Sequence, residues 1–140
     1  MKIRKIFVGV IASLLLLFSG MFLVHSTQAA VHYGTPAALH GKWKSSYISG
    51  SGRFKGHSTL SIRGHHVTYN DVHGIRRESI FKTKYSKSGR IYTIVGRMYD
   101  NAPASGIKKA MKIKVYNHHK IYFKLLGQHS HSLNRVYTRY

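Results

Sequence analysis

The sequence predicts an all-β fold. We expect a small antiparallel up-and-down β-barrel of about eight strands behind an N-terminal signal helix, with a β-sandwich as the alternative. Three observations predict it. Apolar and cationic residues alternate with period two, most clearly where Met111, Ile113 and Val115 interleave with Lys112 and Lys114. Clusters of Gly, Asn, Ser and Pro punctuate the chain at roughly 8–12-residue intervals, the spacing of short strands. No helical periodicity follows the leader. Consecutive hairpins favour the barrel over the sandwich.

The leader comes first. Lys2, Arg4 and Lys5 precede an uncharged run over 6–24, then His25-Ser26-Thr27-Gln28 and the small residues Ala29-Ala30. That order is a secretory signal, 1–29, with cleavage after Ala29. The alternative is an uncleaved membrane anchor over 6–24, because the run approaches the ~20 residues that span a bilayer. Residues 30–38, with Gly34 and Pro36, read as a linker, and 39–140 as one domain.

The first strand of that domain is built around Trp43, the only tryptophan. In a strand, Trp43, Ser45 and Tyr47 share one face, and Lys42 and Lys44 the other. Phe54, Ser58, Leu60 and Ile62 share parity in a second strand, closed by a turn at Gly64-His65. Val67 and Tyr69 mark a third. Residues 76–85 give a fourth, with Phe81, Thr83 and Tyr85 opposite Lys82 and Lys84. The β-branched and aromatic run 91–95 centres a fifth. Asp100 to Gly106 is the widest loop. Met111 to Val115 gives a sixth strand, Ile121, Phe123 and Leu125 alternate with Lys124 in a seventh, and 133–140 close the chain.

Charge narrows the function. The net charge is +20, from 23 Lys and Arg against three Asp and Glu, and three of the positive charges belong to the leader. All but one of the 11 histidines lie beyond it, so acidification raises the charge further. Such a field attracts polyanions. There is no cysteine, which excludes disulfides, thiolate chemistry and a lipidated cysteine anchor, and suits a Gram-positive envelope. Lys42, Lys44, Lys82, Lys84, Lys112, Lys114 and Lys124 all stand opposite apolar residues, and we expect them to form a cationic outer wall. Their partner is expected to be an anionic cell-wall polymer or lipid surface. A solvated face that keeps sheet edges from aggregating explains the same lysines without a partner.

Other chemistries have little support. His129 and His131 have the spacing to share a strand face and are the metal candidates, but no carboxylate or thiolate adjoins them. Surface charge explains the histidines better, so no metal or cofactor is expected. Asp71, Glu78 and Asp100 are the only carboxylates; the first and last shape turns, and Glu78 neutralises a neighbouring arginine. No nucleophile elbow exists, and Gly50 to Ser58 lacks the lysine and helix of a phosphate loop. An enzyme is not expected. The basic and aromatic run 82–97 has the composition of a single-stranded nucleic-acid platform, but the expected export argues against that partner.

Gly41-Lys42-Trp43 is similar to the G-x-W signature that opens the first strand of lipocalins and related barrels. The resemblance implies that Trp43 closes one barrel end and packs against an arginine near the final strand, for which Arg135 and Arg139 are the candidates. It also implies an alternative function, carriage of a small apolar ligand inside the barrel. The chain lacks that family's second motif and its C-terminal helix, and short strands can leave the interior filled by side chains. The protein is expected to be a monomer.

Overall fold

The computed structural model describes residues 29–72, 77–128 and 130–140, with Arg53 described by its backbone alone. The expected leader, apart from its last residue, and His129 lie outside these. The described strands are β1 His32–Tyr33, β2 Gly41–Ser45, β3 Thr59–Arg63, β4 His66–Asn70, β5 Arg77–Ser88, β6 Ile91–Met98, β7 Ile107–Asn117, β8 Lys120–Leu125 and β9 Arg135–Arg139. Two single-turn 3-10 segments, Ala37–Leu39 and Gly52–Phe54, are the only helical elements among the described residues.

Each of β2 to β9 pairs antiparallel with the next in sequence, and β9 returns to β2 through Trp43↔Arg139, Lys44↔Thr138 and Ser45↔Tyr137. The sheet is therefore a closed eight-stranded up-and-down barrel, and the sandwich alternative is excluded. Closure leaves no edge within the barrel itself. The two ends differ. Two-residue turns at 64–65, 89–90 and 118–119 lie at one end, called the narrow end here. The longer connections 46–58, 71–76, 99–106 and 126–134 lie at the other, the loop end.

Period-two alternation sorts the side chains as expected. Trp43, Leu60, Ile62, Val67, Tyr69, Ile80, Ile94, Met111, Ile113, Ile121, Phe123 and Tyr137 turn inward and form one buried cluster drawn from all eight barrel strands. Tyr137 packs edge-on to Phe123, with centroids 6.0 Å apart, and Phe123 lies 6.1 Å from Tyr69. Aromatic side chains thus cross the barrel axis, and burial of this apolar area is the main force holding it closed.

Four local expectations need correction. Residues 30–38 are more than a linker: His32 and Tyr33 pair with Tyr85 and Lys84, and the Gly34 N–H donates to the Thr83 carbonyl at 2.8 Å. A two-residue strand is too short to register as alternation. Tyr47 does not share the inward face of Trp43, because β2 stops at Ser45 and leaves Tyr47 exposed. There the Ser45 side chain accepts from the Ser58 N–H at 3.0 Å, which ends the regular ladder. Phe54 likewise lies outside β3, in the second 3-10 turn, and is 40% exposed.

The fourth correction is Phe81, which faces out while Thr83 and Tyr85 face in. Between the pairs Phe81↔Arg97 and Lys84↔Val95, β5 carries one residue more than β6. Such a bulge reverses parity, and Lys82 takes a φ of 50° within it. Gly96 makes it possible: a Cβ there would sit 2.6 Å from Ile80 Cγ2 and 2.7 Å from the Phe81 carbonyl oxygen. Beyond the bulge, the free side of β5 accepts β1.

Candidate functional site

The narrow end is closed by Trp43 and Arg139. Trp43 is completely buried, and its indole N–H donates to the Leu39 carbonyl at 3.0 Å, which fixes the 3-10 turn over the barrel end. The guanidinium of Arg139 lies 4.4 Å from the Trp43 ring centroid. Its Nη1 donates to the His40 carbonyl at 2.6 Å, Nη2 to Ala38 at 3.0 Å and Nε to His118 at 3.0 Å. One side chain thereby ties the first 3-10 turn, β9 and the β7–β8 turn together. Gly41 leaves room for it, since a Cβ would stand 3.1 Å from Arg139 Nη1. Of the two candidate arginines, Arg139 therefore stacks on Trp43, while Arg135 lies at the opposite end of β9.

A polar cluster at the loop end was not legible in the sequence. Glu78 and Tyr69 are directly paired residues of β5 and β4, both facing inward, and the Tyr69 hydroxyl donates to the Glu78 carboxylate. Lys109 Nζ stands 4.0 Å from the same carboxylate. The expectation that Glu78 neutralises a neighbouring arginine is thus corrected: register turns it into the barrel, away from Arg77. The Ser130 hydroxyl donates to Asp71 at 2.9 Å, which links two loops. Arg135 points into this region, and its Nη1 is buried without a hydrogen-bond partner among the described residues.

Burial pushes the Tyr69 phenol above its ordinary value, reinforced by the hydrogen bond to Glu78 and by the charges of Glu78 and Asp71. Burial also raises Tyr137, outweighing the hydroxyl of Ser58 and the charge of Arg135. Both phenols stay protonated in the fold where an unfolded tyrosine, with its pKa near ~10, would ionise. The folded state then holds more protons than the unfolded one, so stability falls as pH rises past that point. We expect the unfolding temperature to drop steadily above about pH 10. Absorbance at 295 nm should show two phenols ionising only as the fold opens, and Tyr69→Phe should flatten part of the slope.

The outer wall carries the predicted lysines. Lys112 and Lys124 face one another on adjacent strands, and Lys114 pairs with Tyr122. Several ammonium groups rest on tyrosine rings: Lys84 over Tyr33 at 4.8 Å, Lys44 over Tyr140 and Lys82 over Tyr99 at 5.3 Å, Lys114 over Tyr116 at 5.5 Å. Lys42 stands beside Ser61 on the outer face of β2. The sequence located these lysines but not their tyrosine partners, of which only Tyr116 belongs to the same strand as its lysine. None of the three carboxylates occupies the outer face of a strand. Glu78 faces inward, Asp71 follows β4, and Asp100 lies in the 99–106 loop.

The histidine pair is not assembled into a metal site by anything described. His131 is exposed in the β8–β9 loop, and no group of three potential metal ligands occurs among the described residues. Two clefts remain. One of about 250 Å³ opens at the narrow end beside Leu39, Trp43, Arg90 and Tyr92. The other, of about 310 Å³, runs along the outer face of β2 to β5. Comparisons with family models, with characterised proteins and with solved structures find no match to this chain.

Proposed function

We propose that this is an exported, lipocalin-like, non-enzymatic barrel that associates through its cationic outer wall with anionic cell-envelope polymers or lipid. The observation that carries the reading is the segregation of charge. The acids turn inward or lie in loops, while Lys112 and Lys124 confront each other across a strand pair with no carboxylate between them. Like charges directly opposite destabilise a sheet. A partner that brings in negative charge relieves that repulsion, and water alone does so only by screening. The stacking of Arg139 on Trp43 above Gly41 supports the lipocalin-like part of the reading.

The carrier alternative is less well supported. Phe123, Tyr137 and Trp43 are fully buried across the barrel, so a small apolar ligand is better matched to a cleft such as the 250 Å³ one at the narrow end than to the interior. Salt separates the readings: polymer association should weaken steeply with ionic strength, whereas binding in an apolar cleft barely responds. Replacing Lys112 and Lys114 with Gln should leave the circular dichroism unchanged. It should weaken retention on isolated cell envelopes about three-fold and lower the salt slope by roughly one for each lysine that contacts polymer. Retention that ignores both salt and these lysines would reject the reading.

A further inference from the structure

The barrel wall is not uniform. On the β6–β9 side apolar groups interrupt the outward rungs, as in Ile91–Lys114–Tyr122–Val136 and Val95–Ala110, on either side of the single polar rung Thr93–Lys112–Lys124. On the β2–β5 side two consecutive rungs contain no apolar side chain at all. One runs Lys42–Ser61–Thr68–Ser79, and the next Thr138–Lys44–Thr59–Asn70–Arg77. The Thr68 and Ser79 hydroxyls are 2.9 Å apart, so two of the three hydroxyls of the first rung are joined, and Ser61 stands beside Thr68 in register. The 310 Å³ cleft follows this face, with Lys42, Arg63 and Arg77 among its lining residues and Tyr140 at its rim. Strand spacing makes the face roughly 14 Å wide and ~7 Å deep along the strands.

Each candidate occupant meets a different obstacle or fit. Nucleic-acid bases and sugar rings bind on stacked aromatic platforms. Tyr140, already under the Lys44 ammonium, is the only aromatic lining the cleft among the described residues. A lipid surface engages apolar side chains that enter the acyl boundary, and these rungs have none. Arginine forks and lysines take phosphate oxygens, and serine and threonine hydroxyls both donate to phosphate and exchange hydrogen bonds with hydroxyls. We propose that the outer face of β2–β5 binds an acyclic polyol phosphodiester chain. Lys42, Arg63 and Arg77 hold its phosphates, and the Thr59, Ser61 and Thr68 hydroxyls that line the cleft meet its free hydroxyls. This assignment rests on the polyanion reading above and gives it a specific site.

The test uses poly(glycerol phosphate) as the probe and the purified full-length protein, with binding measured at fixed low salt. Arg63 and Arg77 are exposed, so Arg63→Gln/Arg77→Gln should keep the wild-type circular dichroism. It should weaken binding about ten-fold or more, the loss of at least one charge-assisted contact. Lys112→Gln/Lys114→Gln removes the same charge from the opposite wall and should cost no more than about three-fold. Bound polymer should also shield Arg63 and Arg77 from phenylglyoxal. Equal losses in the two variants, with no shielding, would overturn the site while leaving surface-wide polyanion association intact. No binding by the wild type at low salt would defeat both. Equally tight, equally arginine-dependent binding of phosphatidylglycerol vesicles or single-stranded DNA would overturn the choice of ligand.

Discussion

Trp43→Ala is expected to destabilise the barrel by about 3–5 kcal/mol, the cost of emptying a large, fully buried aromatic position. The indole is inaccessible to solvent, contributes to the central cluster and anchors the 3-10 turn through Leu39. Removing it loses buried apolar area, leaves a cavity and frees the turn that caps the narrow end. Small domains have only about 5–15 kcal/mol of stability in total, so the variant should sit near its unfolding midpoint at moderate temperature. Because Trp43 is the only tryptophan, urea unfolding must be followed by far-ultraviolet circular dichroism rather than fluorescence. A loss under ~1 kcal/mol at unchanged m would show that the indole does not close the barrel.

Arg139→Lys should cost about 2–4 kcal/mol even though it keeps the charge. Hydrogen bonds to a charged group are worth ~1.5–3 kcal/mol each, and the part-buried His40 carbonyl left without its donor adds to the loss. The three carbonyls it serves belong to Ala38, His40 and His118, and no single ammonium group can reproduce that planar fork. A double-mutant cycle with Trp43→Phe should return a coupling of ~1 kcal/mol for the stacked pair, since Phe offers a weaker face to the cation. Arg135→Lys, which leaves the narrow end intact, should change stability much less. If Arg139→Lys behaved like Arg135→Lys, the clamp would have no energetic role.

Lys84 and Phe81 show how far alternation can be read. Lys84 faces out as its parity predicts, because strand geometry fixes side-chain direction residue by residue. Phe81 does not, because one extra residue in β5 reverses the pattern, and the bulge depends on Gly96 across the pair. Glu78 is a similar case. Beside Arg77 in sequence, it looked like a local charge partner, yet pairing places it against Tyr69 and Lys109 instead. Tyr140 and Lys44 meet across the β2–β9 seam, nearly a hundred positions apart, and no local pattern marks that contact.

By itself the sequence determined the all-β class, the number of barrel strands, the inward set around Trp43 and the outward lysines. These depend on period two and on turn chemistry, which are local properties of the chain. Only the tertiary structure decided the closure of β9 on β2, the choice of Arg139 over Arg135, the inward turn of Glu78 and the hydroxyls gathered on β2–β5. Those features depend on which residues register brings side by side, and register is set when the whole barrel packs its core.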